Sequence, residues 1–158
     1  MAMLSVYIET SIVSYVTARR SLDPHILSRQ EDASRWWEDY GPRFQLFASQ
    51  AVLDEAARGD ADAARDRLKL LVGLPLIPIN EQVKRIAQEL LRRSLLPENA
   101  AVDALHVAAA AVGGVDYLLT LNCRHIANAF QLPQVYRTLE ELNVSQPLIC
   151  TPAEFMEL

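Results

Sequence analysis

The chain predicts an α/β fold, a parallel sheet covered by helices on both faces. Two observations carry that expectation. Short apolar runs alternate with longer amphipathic segments along the whole length, and strands separated by helices pair in parallel through crossovers. The runs themselves read as buried strands, as parallel sheets require. At 158 residues the chain is read as one domain, 1–158, large enough to bury roughly two-thirds of its unfolded surface.

Leu4 to Ile8 is the first strand, short, apolar and partly β-branched. Glu9-Thr10-Ser11 ends it, and Thr10 or Ser11 is placed to cap a helix from Ile12 to Thr17. A second helix is predicted from His25 to Asp39 and is broken by Gly41-Pro42. Its consecutive tryptophans, Trp36 and Trp37, cannot both face the core of a regular helix, so one is assigned to an interface. Phe44 to Ala48 is the second strand, and Ser49 is read as the cap of a helix holding Val52, Leu53 and Glu55. Asp60 opens another helix, through Leu71. Leu76 to Ile79 is a third strand, placed at a sheet edge by Pro75 and Pro78.

Asn80 caps a helix whose Val83, Ile86, Ala87, Leu90 and Leu91 form a clean apolar stripe. The helix of Asn99 to Val112 is nearly all apolar, and Gly113-Gly114 ends it by permitting a left-handed backbone. Tyr117 to Thr120 is the fourth strand, with Asp116 just before it. A helical turn at Ile126 to Phe130, a helix around Val135 to Leu142 and a last strand between Pro147 and Pro152 complete the pattern.

The composition excludes several classes. Half the residues are apolar, which argues against disorder. No apolar run approaches the ~20 residues of a membrane helix, and the first nine residues lack the basic start and apolar core of a signal peptide. Cys123 and Cys150 make no closely spaced ligand pair, so zinc is not expected and a reducing, cytoplasmic setting is. A net charge of −5 argues against a broad electrostatic footprint on nucleic acid, though not against a local basic rim.

Topology then gathers the chemistry. In a parallel sheet every helix that follows a strand begins at the carboxyl edge, where such folds place their sites. Glu9 lies just past the first strand, Glu55 in the helix after the second, Asp103 near the start of its helix and Asn122 just past the fourth strand. Asp103 is the strongest candidate, because a carboxylate on an apolar helix needs compensation. Three carboxylates and a carboxamide crowded together need a cation. Oxygen ligands suit Mg²⁺ or Mn²⁺, and such ions promote phosphodiester cleavage. Ser11 and Thr120 are read as hydroxyls that orient the acids. Arg124 and His125 follow Asn122 directly and are candidates to meet a phosphate. His106, three residues after Asp103, is read as a structural histidine rather than a general base.

These motifs resemble the acidic motifs of PIN domains: Tyr-Ile-Glu9-Thr-Ser11, Val52-Leu-Asp-Glu55, Asp103-Ala-Leu-His106 and Tyr117-Leu-Leu-Thr120-Leu-Asn122. The similarity spans nearly the whole chain and is greatest to the VapC-like toxins of toxin–antitoxin pairs. The resemblance implies a three-layer α/β/α domain with a mainly parallel five-stranded sheet. It also implies a Mg²⁺- or Mn²⁺-dependent ribonuclease, acting on RNA, restrained by a cognate antitoxin and usually homodimeric. Glu9, Glu55 and Asp103 would hold the metal and Asn122 would complete the site. Two positions depart from the family pattern, since the first and fourth acids are usually Asp and are here Glu9 and Asn122. Weaker metal binding than in a four-acid site is the expected result. The competing reading is a silent PIN-like module that binds protein or RNA; a small-molecule phosphatase on a similar sheet is a third.

Overall fold

The computed structural model describes residues 3–93 and 97–157. Five strands, β1 (Ser5–Ile8), β2 (Gln45–Ser49), β3 (Leu76–Ile77), β4 (Tyr117–Leu119) and β5 (Leu148–Cys150), form one sheet in the order β3-β2-β1-β4-β5. Every pairing is parallel. Val6, Tyr7 and Ile8 are all fully buried. Successive strand residues point to opposite faces, so both faces of the sheet are covered. The two-residue β3 lies at the edge, where the flanking prolines put it. Tyr7 aligns with Phe47 on one side and Leu118 on the other. The three central strands therefore end together, and the residues that follow them emerge at one edge.

Among the described residues, eight α-helices surround the sheet: α1 (Thr10–Thr17), α2 (Pro24–Arg35), α3 (Gln50–Ala56), α4 (Ala61–Leu71), α5 (Glu81–Arg93), α6 (Ala101–Gly113), α7 (Leu132–Glu141) and α8 (Pro152–Glu157). Several starts follow from local chemistry. Asp23 caps α2 by accepting from His25 N–H, with Pro24 at the first helical position. Asp60 caps α4 through Ala63 N–H, and Asn80 Oδ1 accepts from Val83 N–H at the start of α5. Asp116 does more than precede β4. Its carboxylate accepts from Ser5 N–H at 2.8 Å and Ser5 Oγ at 3.0 Å, clasping the starts of β1 and β4.

Four expectations are corrected. The cap of α1 is neither Thr10 nor Ser11 but the Glu9 side chain, which accepts from Ser11 N–H. Ser49 stands at the start of α3 without capping it, because its hydroxyl is committed to Tyr7. The second helix stops at Arg35 and continues as a π-helical turn, Trp36–Tyr40, closed by Gly41 N–H to the Trp36 carbonyl. That wider turn reduces the angle between consecutive side chains. Trp36 is fully buried, while Trp37 is half-buried, packed against the same core with part of its surface left open. The helical turn expected at Ile126 to Phe130 is absent. Asn122 and Asn128 instead organise successive turns by accepting His125 and Phe130 N–H groups.

Finally, α8 was not anticipated. Thr151 Oγ1 accepts from Glu154 N–H and Glu154 returns the bond to Thr151 N–H, a reciprocal cap. Phe155 then packs edge-on to Phe44 and Trp36, with ring centroids 5.1 and 5.5 Å away.

The apolar stripe of α5 is used within the fold. Val83, Ile86, Ala87 and Leu90 are all buried, and α5 packs on α6 and α7. Gly114, at φ +68°, ends α6 as expected. Gly113 matters for space, since a Cβ there would lie 2.6 Å from Ile77 Cδ1. No described helix is long and apolar enough to cross a membrane.

Candidate functional site

The carboxyl edge of the sheet gathers two linked groups of polar side chains. The first is built on Glu9, Glu55 and His106. Glu9 directly follows β1 and is only 4% exposed. Its carboxylate accepts from Ser11 Oγ and Thr120 Oγ1, each at 2.5 Å, and from Ser11 N–H at 3.0 Å. Ser11 Oγ also accepts from Leu121 N–H, which ties α1 to the segment after β4. Both hydroxyls expected to orient an acid do so, and both serve the same one. Glu55, on α3, is held by Thr10 Oγ1 at 2.6 Å and by His106 Nε2 at 2.5 Å.

His106 is the residue the sequence undervalued. It is fully buried on α6, yet Nε2 reaches the acids while Nδ1 lies 2.8 Å from the Tyr7 hydroxyl. That hydroxyl is in turn 2.7 Å from Ser49 Oγ. One ligand-type atom from each of Glu9, Glu55 and His106 falls within 4.8 Å of the others. Burial works against a charged imidazole, but the hydrogen bond to Glu55 and the negative charges of Glu9, Glu55 and Asp103 outweigh it. The His106 pKa is thereby held above its ordinary value. For Glu55, burial favours the neutral acid, and the bond and charge of His106, with Thr10 and Arg58, prevail and hold its pKa down. Burial pushes the Tyr7 phenol far up, so it stays neutral.

The second group is Asp103, Asn122 and His125. Asp103 Oδ1 accepts from Asn122 Nδ2 at 3.1 Å, and Oδ2 pairs with His125 Nδ1 at 2.9 Å. A carboxylate only accepts, so Nδ1 carries the hydrogen. The amide oxygen of Asn122 accepts from His125 N–H, while Asn122 N–H donates to Thr120 Oγ1. Thr120 therefore bridges the two groups, with Glu9 on one side and Asn122 on the other. Arg124 is exposed beside them.

Glu9, Glu55, Asp103 and Asn122 thus reach one edge of the sheet, but through different partners. The missed contributors are His106, Thr10, Tyr7 and Ser49. One signal was available for His106, since a residue three after Asp103 shares its helix surface. The two carboxylates and imidazole of the first group are a donor set suited to a divalent ion of the Mg²⁺ or Mn²⁺ type. Their ligand-type atoms are gathered within 4.8 Å of one another.

Solved structures share this architecture, and two of them illustrate it. One is the Mycobacterium tuberculosis VapC20, described as a sarcin–ricin loop cleaving toxin. It superposes with a TM-score of 0.56 at 22% identity, covering 72% of this chain and 86% of that one. The other is the Rickettsia felis VapBC2 bound to a DNA fragment from its promoter. It has a TM-score of 0.57 at 13% identity, with 94% and 98% of the two chains covered. At these identities the likeness is one of fold. A search of curated protein sequences finds no match. The PIN domain family model matches residues 6–131, which include every acid of both groups, and the chain belongs to the PIN domain family.

Proposed function

We propose that this PIN domain is a Mg²⁺- or Mn²⁺-dependent endoribonuclease, the toxin of a toxin–antitoxin pair. The single observation that carries the reading is the meeting of Glu9, Glu55 and His106 within 4.8 Å, beside Asp103, at the carboxyl edge of the sheet. Glu9, Glu55 and Asp103 would hold the ion, with Asn122 completing the site. When bound, the ion supplies an activated water and neutralises charge on the phosphodiester.

The chain's own groups do the rest. Ser11 and Thr120 fix the Glu9 carboxylate, and Thr10 fixes Glu55. Asn122 and His125 fix Asp103. The His125 ring, 20% exposed, and the exposed Arg124 are placed to meet a phosphate on the strand being cut. RNA as substrate is supported by the description of VapC20 as a loop-cleaving toxin. An antitoxin partner is supported by the VapB chain that accompanies VapC2. A homodimer follows from the family resemblance. Cytoplasmic location is consistent with Cys123 and Cys150 both being free thiols.

One observation favours the second reading, a silent binding module. Both Asp103 oxygens are already engaged by Asn122 and His125. Calorimetric titration with Mn²⁺, paired with cleavage of a labelled structured RNA, separates the two. Saturable binding with cleavage abolished by Asp103→Ala is the expected result. Binding without cleavage would establish the module, and cleavage that survives Asp103→Ala would come from a contaminant.

A further inference from the structure

An ion held jointly by Glu9 and Glu55 would have His106 as a close neighbour. The imidazole is fully buried, and Tyr7 packs edge-on to it with ring centroids 5.8 Å apart. Its Nε2 lies 2.5 Å from Glu55 Oε1. We propose that His106 Nε2 is itself a ligand of the divalent ion, so that the centre is a mixed carboxylate–imidazole site with a preference for Mn²⁺ over Mg²⁺. This inference rests on the reading that the edge cluster holds such an ion.

Geometry is the first support. Two ligands at right angles, each about 2.1 Å from one ion, stand about 3.0 Å apart, and opposite ligands stand about 4.2 Å apart. The candidate atoms of Glu9, Glu55 and His106 all fall within 4.8 Å of one another. Entry of an ion requires the Nε2–Oε1 contact to open by about half an ångström. A small swing of the Glu55 side chain, which is 26% exposed, supplies it. The ion then takes the place of the hydrogen on Nε2.

The second support is the far side of the ring. A ligating histidine commonly fixes its other nitrogen with a hydrogen bond, which sets the tautomer and aims the lone pair at the metal. Here Nδ1 faces the Tyr7 hydroxyl at 2.8 Å, and that hydroxyl has Ser49 Oγ as a further partner at 2.7 Å. With Nδ1–H donating to Tyr7 and Tyr7 donating to Ser49, every polar atom of this buried chain is satisfied. With an ion in place of the Nε2 hydrogen, the Nε2 lone pair is aimed at the space between the acids. Ser49 gives up its capping role at α3 to complete the arrangement.

The chemical consequence follows from the ligand type. Mg²⁺ takes oxygen donors and retains its waters, whereas imidazole nitrogen favours the first-row transition ions. Pulsed electron paramagnetic resonance of the Mn²⁺-loaded protein reads this directly, because a coordinated ¹⁴N modulates the echo. Calorimetry with Mn²⁺ and with Mg²⁺ gives the preference.

The wild-type protein should show ¹⁴N modulation, and His106→Gln should lose it together with at least ~10-fold of Mn²⁺ affinity. Mg²⁺ binding should fall less. Tyr7→Phe should keep the ¹⁴N signal while weakening Mn²⁺ by roughly 10-fold. Mn²⁺ bound to the wild type without ¹⁴N coupling would overturn the inference and leave the metal site standing. Coupling that persists in folded His106→Gln would assign the nitrogen to another residue and also overturn it. No Mn²⁺ binding at all would overturn both this inference and the reading it rests on. If His106→Gln does not fold, His125→Gln decides the matter: ¹⁴N modulation that survives it supports His106 as the ligand, and modulation lost with it overturns the inference.

Discussion

Gly113→Ala tests whether α6, which carries Asp103 and His106, is held against the sheet edge by a contact only glycine allows. The new Cβ would lie 2.6 Å from Ile77 Cδ1, 3.1 Å from Cγ1 and 3.2 Å from Cγ2. The Cδ1 contact alone could be relieved by rotating the end of the side chain. Cγ1 and Cγ2 both branch from the Ile77 Cβ, so turning the side chain cannot withdraw both. Ile77 is 6% exposed and belongs to β3, so strand or helix must shift. Overpacking of this kind costs about 1–3 kcal/mol. Opposing it is the helix preference of alanine over glycine, at most about 1 kcal/mol and less at a final helical position.

The net expectation for Gly113→Ala is a loss of about 1–2 kcal/mol, which for a chain of this size lowers Tm by roughly 2–8 °C. Calorimetric melting in chelator measures it. Ile77→Val removes the nearest atom and costs about 0.5–1.5 kcal/mol alone. Combined with Gly113→Ala it should cost less than the sum, with a coupling of about 1 kcal/mol. A neutral or stabilising Gly113→Ala, or strictly additive costs, would refute the close-approach argument.

Four further outcomes are expected. Metal-free stability should depend on pH through the Glu55–His106 pair. The contribution of Glu55, held below its ordinary 4.5, is full above that value and lost as pH falls through its lowered pKa, while that of His106, held above 6.5, is full below 6.5 and lost as pH rises through its raised pKa. Tm in chelator should therefore be highest between about 4.5 and 6.5 as far as this pair decides it, and a Tm still rising steadily above that window would contradict the assignment. Millimolar Mn²⁺ should raise Tm, because an ion bound only to the folded state stabilises it, and Asp103→Asn should shrink that rise. Asn122→Asp, which sets a carboxylate where Nδ2 now lies 3.1 Å from Asp103 Oδ1, should lower Tm in chelator yet tighten Mn²⁺ binding and raise RNA cleavage at low metal. Sedimentation over micromolar concentrations should show a dimer of the 17.7 kDa chain, and a monomer throughout would count against it.

Much of this architecture is legible because parallel sheets obey strict rules. Strand order aside, the alternation of apolar runs fixes which chain ends meet, and that alone brings Glu9, Glu55, Asp103 and Asn122 to one edge. Asp103 was visible because its helix offers almost nothing else polar. His106 was not, because a lone histidine is defined by where its ring points. That direction is set by Tyr7, 99 residues away, and through it by Ser49. The setting of the tryptophan pair is not legible, because a π-helical turn has no sequence signature comparable to proline or glycine. The last helix is a different case. Thr151-Pro-Ala-Glu154 is a capping box with proline at the first helical position, and the signal was present in the sequence.

The departures from the family pattern at Glu9 and Asn122 fit together once their partners are considered. Asn122 lets the Asp103 half of the site be complete without a cation. Its amide donates to Asp103, its oxygen accepts from His125 N–H, and the His125 ring closes the other carboxylate oxygen. An aspartate at 122 would put two carboxylates in contact and would require an ion between them. The other half is built differently. Glu9 and Glu55 bring two carboxylates against one imidazole, so after His106 is counted an excess of negative charge remains. Demand for a cation is therefore concentrated on the Glu9 side, and Thr120, bonded to both Glu9 and Asn122, links occupancy there to the position of the Asp103–His125 pair. The longer glutamate is suited to that task. Its carboxylate caps α1 through Ser11 N–H with Oε2 while Oε1 takes both hydroxyls. The same side chain that orders the first helix is thereby fixed beside Glu55 and His106, where α1, α3 and α6 meet.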